Sequence, residues 1–114
     1  MYETVEQVFT EAMPKRFNAL EARNQRATYL FEIGNSSGFI TWSVIVNDGN
    51  LDIQEGGVEE PNCVLKMNEE DYLNMVNGRE SIQMLYMTGK LKIEGDLPFA
   101  VKLSRFFPAD EKKK

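Results

Sequence analysis

The stretch Asn62-Cys63-Val64-Leu65-Lys66-Met67-Asn68-Glu69-Glu70-Asp71 decides the fold class. Its first half has a period of two. Cys63, Leu65 and Met67 alternate with Val64 and Lys66, so an extended chain here is apolar on one side. At Asn68 the pattern changes. Asparagine is a strong helix N-cap, and carboxylates in the next turn suit the positive end of the helix dipole. A strand therefore runs straight into a helix.

Upstream, the same alternation predicts three more strands. Tyr29, Phe31 and Ile33 alternate with Thr28, Leu30 and Glu32, and Gly34 to Gly38 reads as a turn. Phe39 to Val46 follows, with Trp42, Val44 and Val46 on one face. Asn47-Asp48-Gly49-Asn50 is a hairpin signal, because Asp-Gly accepts the positive φ angles of a primed turn. Leu51 and Ile53 begin the return strand, which Gly56-Gly57 ends. Before these strands, Thr4 and Gln7 form a capping-box pattern ahead of Val5, Val8, Phe9 and Ala12 at helical spacing. Pro14 is expected to bend or interrupt that helix. A further helical stretch is expected from Lys15 to about Arg23, with Phe17 and Leu20 on its packed face.

Downstream of Asn68, Gly78 closes the first helix as a left-handed C-terminal residue. Ser81 to Met87 reads as a short helix stopped by Gly89. Leu91 and Ile93 give a fifth strand between Gly89 and Gly95. Asp96 caps a last helix carrying Pro98 in its first turn and Phe99, Leu103 and Phe106 down one face. The order α-β-β-β-β-α-α-β-α in so short a chain predicts an α+β fold, with helices covering one face of the sheet.

The 114 residues make one domain, long enough to build a core without metal or disulfide. The ordered part is expected at about 4–107, with 108–114 a flexible Lys-rich tail. There is no histidine, which excludes His-based triads, His metal ligands and imidazole bases. One cysteine cannot form an internal disulfide or a Cys-cluster zinc site, and it points to a reducing compartment. A net charge of −5 without a basic stripe argues against nucleic acid. No signal-peptide or membrane-spanning stretch is read, so a cytoplasmic protein is expected.

Each local motif has a plain structural explanation. Asp48, Asn50, Asp52 and Glu59 imitate part of a calcium loop, but its sixth position needs glycine and holds Ile53. Glu69, Glu70 and Asp71 belong to a helix start. Cys63 has no histidine partner, and its strand parity points it inward, as an inert thiol. Asn35-Ser36-Ser37 matches a glycosylation sequon, with no role in an intracellular chain. The terminal lysines, with Lys102 and Arg105, either touch anionic membrane surfaces or serve solubility. Met67, Met75, Met84 and Met87 gather around the two middle helices, either as core or as the wall of an adaptable apolar site.

Taken in order, four pieces resemble the sterol carrier protein-2 family. They are Thr41-Trp42-Ser43-Val44 running into Asn47-Asp48-Gly49, Asn62–Met67 running into Asn68-Glu69-Glu70-Asp71, Leu73 to Gly78, and Gly89-Lys90-Leu91-Lys92-Ile93-Glu94-Gly95-Asp96. The last is the most specific, and the resemblance spans about Phe17 to Phe107. It implies a five-stranded, mostly antiparallel sheet covered on one face by helices and enclosing an apolar tunnel. The family's tunnel takes fatty acid, acyl-CoA, phospholipid or sterol-like ligands, without catalysis and without a cofactor or metal. Carried onto this chain, the inward strand residues are Phe31, Ile33, Trp42, Val44, Leu65, Met67, Leu91 and Ile93. The helical wall is Met75, Val76, Met84, Met87, Phe99, Leu103 and Phe106. Glycine hinges near Gly78 and Gly89 would open a mouth. The chain ends in three lysines where peroxisomal members end in a Ser-Lys-Leu-type address. The partner that the resemblance implies is a lipid or acyl-CoA ligand; the lysine tail adds transient contact with a membrane surface, and the acidic charge balance leaves out nucleic acid. Monomer and homodimer both stay open. The alternative reading is a structural or dimerisation module with a collapsed tunnel.

Overall fold

A computed structural model describes residues 2–108. From residue 109 on, the expected Lys-rich tail lies outside the described residues.

One five-stranded sheet has the order β3-β2-β1-β4-β5. Its strands are β1 (Arg26–Asn35), β2 (Gly38–Asn47), β3 (Asn50–Glu55), β4 (Cys63–Asn68) and β5 (Lys92–Gly95). All neighbours are antiparallel except β1 and β4, which are parallel. The register lines up Trp42, Phe31, Leu65 and Ile93 across four strands. Because parity is conserved across a sheet, these four share one face. That face also carries Tyr29, Ile33, Val44, Cys63 and Met67, all buried. The opposite face is polar at β4–β5, where the Lys66 ammonium lies 3.1 Å from Glu94 and 3.9 Å from Glu32.

The β2–β3 turn is the two-residue connection that its sequence predicts. Asp48 and Gly49 have φ values of 50° and 81°, as a primed turn requires. The Asp48 carboxylate accepts from the Asn24 amide at 2.8 Å, so this side chain is committed to the fold.

Helices cover the apolar face: α3 (Glu69–Val76), α4 (Ile82–Met87), α5 (Leu97–Phe106) and an N-terminal helical segment. Asn68 and Ser81 cap α3 and α4 through their side-chain oxygens, which accept from the amides of Asp71 and Met84. Asp96 sits at the N-cap of α5, but its side chain makes no capping bond. Its backbone amide donates instead to the Asn62 carbonyl at 3.0 Å.

The N-terminal segment corrects the sequence reading. It comprises α1 (Val5–Gln7), a π-helical stretch Val8–Ala12 and α2 (Met13–Arg16), without a break. The capping box at Thr4 and Gln7 is formed. Pro14 follows directly on the π-helical stretch, and the interruption takes the form of that wider turn, which meets a ring that has no N–H to donate and crowds the preceding carbonyls. The expected helix from Lys15 to Arg23 does not form. Residues 17–25 make turns whose backbone groups bond to other elements: the Asn18 amide donates to the Phe106 carbonyl at 2.7 Å, and the Ala22 carbonyl accepts from Gly49 at 3.0 Å. These long-range bonds outweigh weak local helix propensity. Leu20 is consequently exposed and Ala22, not Leu20, is buried.

Candidate functional site

Between the N-terminal segment, β1, α3 and α5 the structure leaves a cavity of about 110 Å³. Val8, Ala12 and Met13 form one wall, Phe31 the floor, and Tyr72, Met75 and Val76 the facing wall. Leu103 of α5 and Phe107 just beyond its end close it, and Arg16 is its one charged lining residue. Val8, Ala12 and Arg16 stand at i, i+4 and i+8, so a single helix stripe supplies both apolar wall and cation. The π-helical turn belongs to this wall, as such turns often do at working sites.

Behind the cavity lies an aromatic cluster. Phe9 stacks on Trp42 with ring centroids 4.8 Å apart and planes 7° apart. Phe9 also meets Phe31 edge-on at 5.3 Å, and Tyr72 at the same distance. The buried Tyr72 hydroxyl faces Met13 Sδ at 3.5 Å. Burial pushes its ionisation well above the usual phenol range, with the nearby Arg16 charge pulling weakly the other way. It is a neutral donor at any physiological pH. The Arg16 guanidinium is half-buried, donates from Nη1 to the Val76 carbonyl at 3.1 Å and lies 5.7 Å from the Tyr2 ring centroid. It is thereby held at the cavity rather than left to sweep through solvent.

A second concavity, a groove of about 440 Å³, runs between α4 and α5 over β5. Ile82, Tyr86, Ile93, Leu97 and Val101 supply its apolar lining.

The structure buries Phe31, Ile33, Trp42, Val44, Leu65, Met67, Leu91, Leu103 and Phe106, and half-buries Met75, Val76, Ile93 and Phe99. Phe31, Met75, Val76 and Leu103 meet at the cavity, and Ile93 lines the groove. Met84 and Met87 depart from the expected inward wall. They are 51% and 77% exposed, because α4 is only six residues long and turns only Leu85 fully inward. Sequence reasoning did not assign Val8, Ala12, Met13, Arg16, Tyr72 or Phe107 to the site. The stripe Val8, Ala12, Arg16 was the signal available. Cys63 is fully buried, and burial, then the Asp96 charge, push its thiol up to about 11. It is therefore protonated and a poor nucleophile at neutral pH.

No helix among the described residues is long and apolar enough to cross a membrane.

Residues 6–108 match the profile of the SCP-2 sterol transfer family. Human (Homo sapiens) "Hydroxysteroid dehydrogenase-like protein 2" is 33% identical over 82 residues, covering 70% of this chain and 19% of that protein. Human "Sterol carrier protein 2" is 32% identical over 63 residues, 55% of this chain and 12% of the relative. The chain thus spans about a fifth or less of the length of these relatives. Among solved structures, palmitated SCP2L2 from Aedes aegypti superposes with a TM-score of 0.76 at 20% identity, over 90% of this chain and 93% of that one. The same fold occurs in the sec-alkylsulfatase Pisa1 from Pseudomonas sp., with a TM-score of 0.71 at 12% identity, over 87% of this chain but 15% of the enzyme.

Proposed function

The chain belongs to the SCP-2 sterol transfer family, and from that premise we propose that it is a lipid carrier whose ligand chain lies between sheet and helices. The observation that carries this reading is the apolar cavity with one positioned cation. An acyl chain needs only apolar surface: each buried methylene is worth about 0.8 kcal/mol without directional contacts, so chain identity matters little. An acidic lipid adds its carboxylate, which Arg16 receives with a charge-assisted, two-pronged donor. Fatty acid is therefore the preferred class. Acyl-CoA, phospholipid and sterol-like molecules share the apolar part of the same site.

The cavity of about 110 Å³ falls below the roughly 300–1,000 Å³ of pockets that enclose a small ligand. Loading a long chain therefore requires the N-terminal segment and α5 to part from Phe31 and Leu103. The ligand tail then runs along Leu65 and Met67, behind the present cavity. The domain itself acts as a carrier and not as a catalyst. With the single cysteine reduced and buried, the compartment we assign is the cytoplasm.

One observation favours a second reading. The interior is nearly filled, while α4 and α5 expose an apolar face, as an association module would. Native mass spectrometry of the gently purified protein separates the two. The carrier reading expects a co-purifying lipid mass, or uptake of added fatty acid. A clean protein mass that takes up neither fatty acid nor acyl-CoA favours the association module and overturns the carrier.

A further inference from the structure

The faces of α4 and α5 that turn from the sheet carry a group of uncovered apolar side chains. Met84, Tyr86 and Met87 on α4, and Leu97 and Val101 on α5, are each about half or more exposed. Tyr86, Leu97 and Val101 border one groove between the two helices, and Met87, the most exposed of the group, follows Tyr86 in the chain. Among the described residues, the other large exposed apolar side chains, Leu20 and Phe39, lie in a turn and at the start of β2.

Charge is unevenly divided along the sequence. Residues 79–108 carry five basic and three acidic side chains, a net of +2, whereas residues 1–78 carry five and thirteen, a net of −8. Lys92 and Glu94 belong to the open face of the sheet, where Glu94 pairs with Lys66. Arg79, Lys90, Lys102 and Arg105 then stand against Glu80 and Asp96 in the helices and their connections. The N-terminal segment is built the other way. It buries Val5, Val8, Phe9 and Ala12 and presents Glu6 and Glu11 to solvent.

We propose that the α4–α5 face docks the protein on an anionic lipid bilayer. Met84, Met87, Leu97 and Val101 enter the boundary between headgroups and acyl chains, and Lys90 and Arg105 meet the anionic headgroups. Shallow apolar insertion beside cationic side chains is the combination that recognises such a surface. The acidic remainder of the molecule is repelled by the same surface, which sets the orientation. The proposal deepens the carrier reading, since a carrier must meet a bilayer, but docking does not require the cavity to be filled.

The test is flotation of the full chain with vesicles of phosphatidylcholine alone and of phosphatidylcholine mixed with phosphatidylglycerol. Binding is expected to the mixed vesicles, to weaken as salt is raised, and to fall at least about tenfold in the M87D/V101D double variant, which removes two inserted side chains. The milder M87S/V101S variant should lose binding in the same direction, and F39D should bind like the original chain. Circular dichroism confirms that each variant is folded. No binding to the mixed vesicles, or binding indifferent to both double variants, overturns the proposal. So does a dimer in solution that M87D/V101D converts to monomer, because the face would then belong to a second copy. Vesicle binding without lipid uptake would leave docking intact and remove the carrier reading, and uptake without vesicle binding would do the reverse.

Discussion

Replacing Ala12 by leucine should weaken lipid binding and leave the fold standing. Ala12 is 1% exposed, lines the cavity and lies one helical turn from both Val8 and Arg16. Leucine adds three carbons to a space of about 110 Å³. If those carbons occupy what ligand methylenes would fill, binding loses roughly 2.4 kcal/mol at about 0.8 per methylene, or on the order of 60-fold in Kd. Folding gains about the same apolar burial and loses about 1–3 kcal/mol to tight packing, so net stability should move by less than about 1 kcal/mol. Trp42 reports the titration. It is the chain's one tryptophan, and it stacks on Phe9, the residue next to Val8 in the cavity wall. Fatty-acid titration followed by Trp42 emission, with urea unfolding of the same samples, gives both quantities. A stable variant with unchanged Kd would show that the ligand chain does not use this cavity.

Three further outcomes follow from named contacts. Arg16→Met keeps the apolar stem and removes the charge; affinity for a fatty acid should fall about tenfold or more, while a fatty alcohol of equal length changes little, as paired titrations would show. Gly95→Ala should destabilise by about 2–4 kcal/mol in urea unfolding. Its φ is +97° and an added Cβ would sit 2.5 Å from the Asn62 carbonyl oxygen. At Gly89, where φ is +81° but the space is open, alanine should cost only about 1 kcal/mol. Cys63 ionises near 11 when folded against 9.0 for a free thiol. Its contribution to stability is therefore complete below pH 9 and is lost as pH rises toward 11. Tyr29 and Tyr72, also raised by burial from 10.0, act in the same direction once the pH passes that value. The urea midpoint should fall through this window, less steeply at its lower end in Cys63→Ala.

The sheet was legible because its signals are local. Alternation placed Phe31, Trp42, Leu65 and Ile93 on one face, and the register aligns them across four strands. Asp48-Gly49 determined a turn, and Asn68 a helix start, through backbone requirements that only a few residue types meet. The helical side was less legible for a physical reason. An apolar stripe on a helix records which side avoids water, but not whether another layer is present to receive it. Met84 and Met87 continue the pattern of α4 and still face solvent, because the layer beneath this short helix has room only for Leu85 and half-buried Ile82. The stretch from Lys15 to Arg23 has helical spacing, yet its amides and carbonyls are claimed by Phe106 and Gly49. Those partners are distant in sequence, so no local pattern announces them. Arg16 was readable only by extending the stripe of Val8 and Ala12 past Pro14, where the π-turn keeps the segment continuous.

Intermolecular contacts between a bound fatty acid and the protein's side chains test the carrier most directly. The protein would be labelled at its alanine, valine, leucine and methionine methyl groups, among them those of Val8, Ala12, Met75, Val76 and Leu103 at the cavity, and titrated with palmitic acid in an NMR nuclear Overhauser experiment. Cross-peaks from the acyl protons to these methyls, with the Arg16 side chain shifting together with them, are the expected result. Cross-peaks confined to Met84, Met87 and Val101, or none at saturating ligand, would contradict a lipid held between sheet and helices.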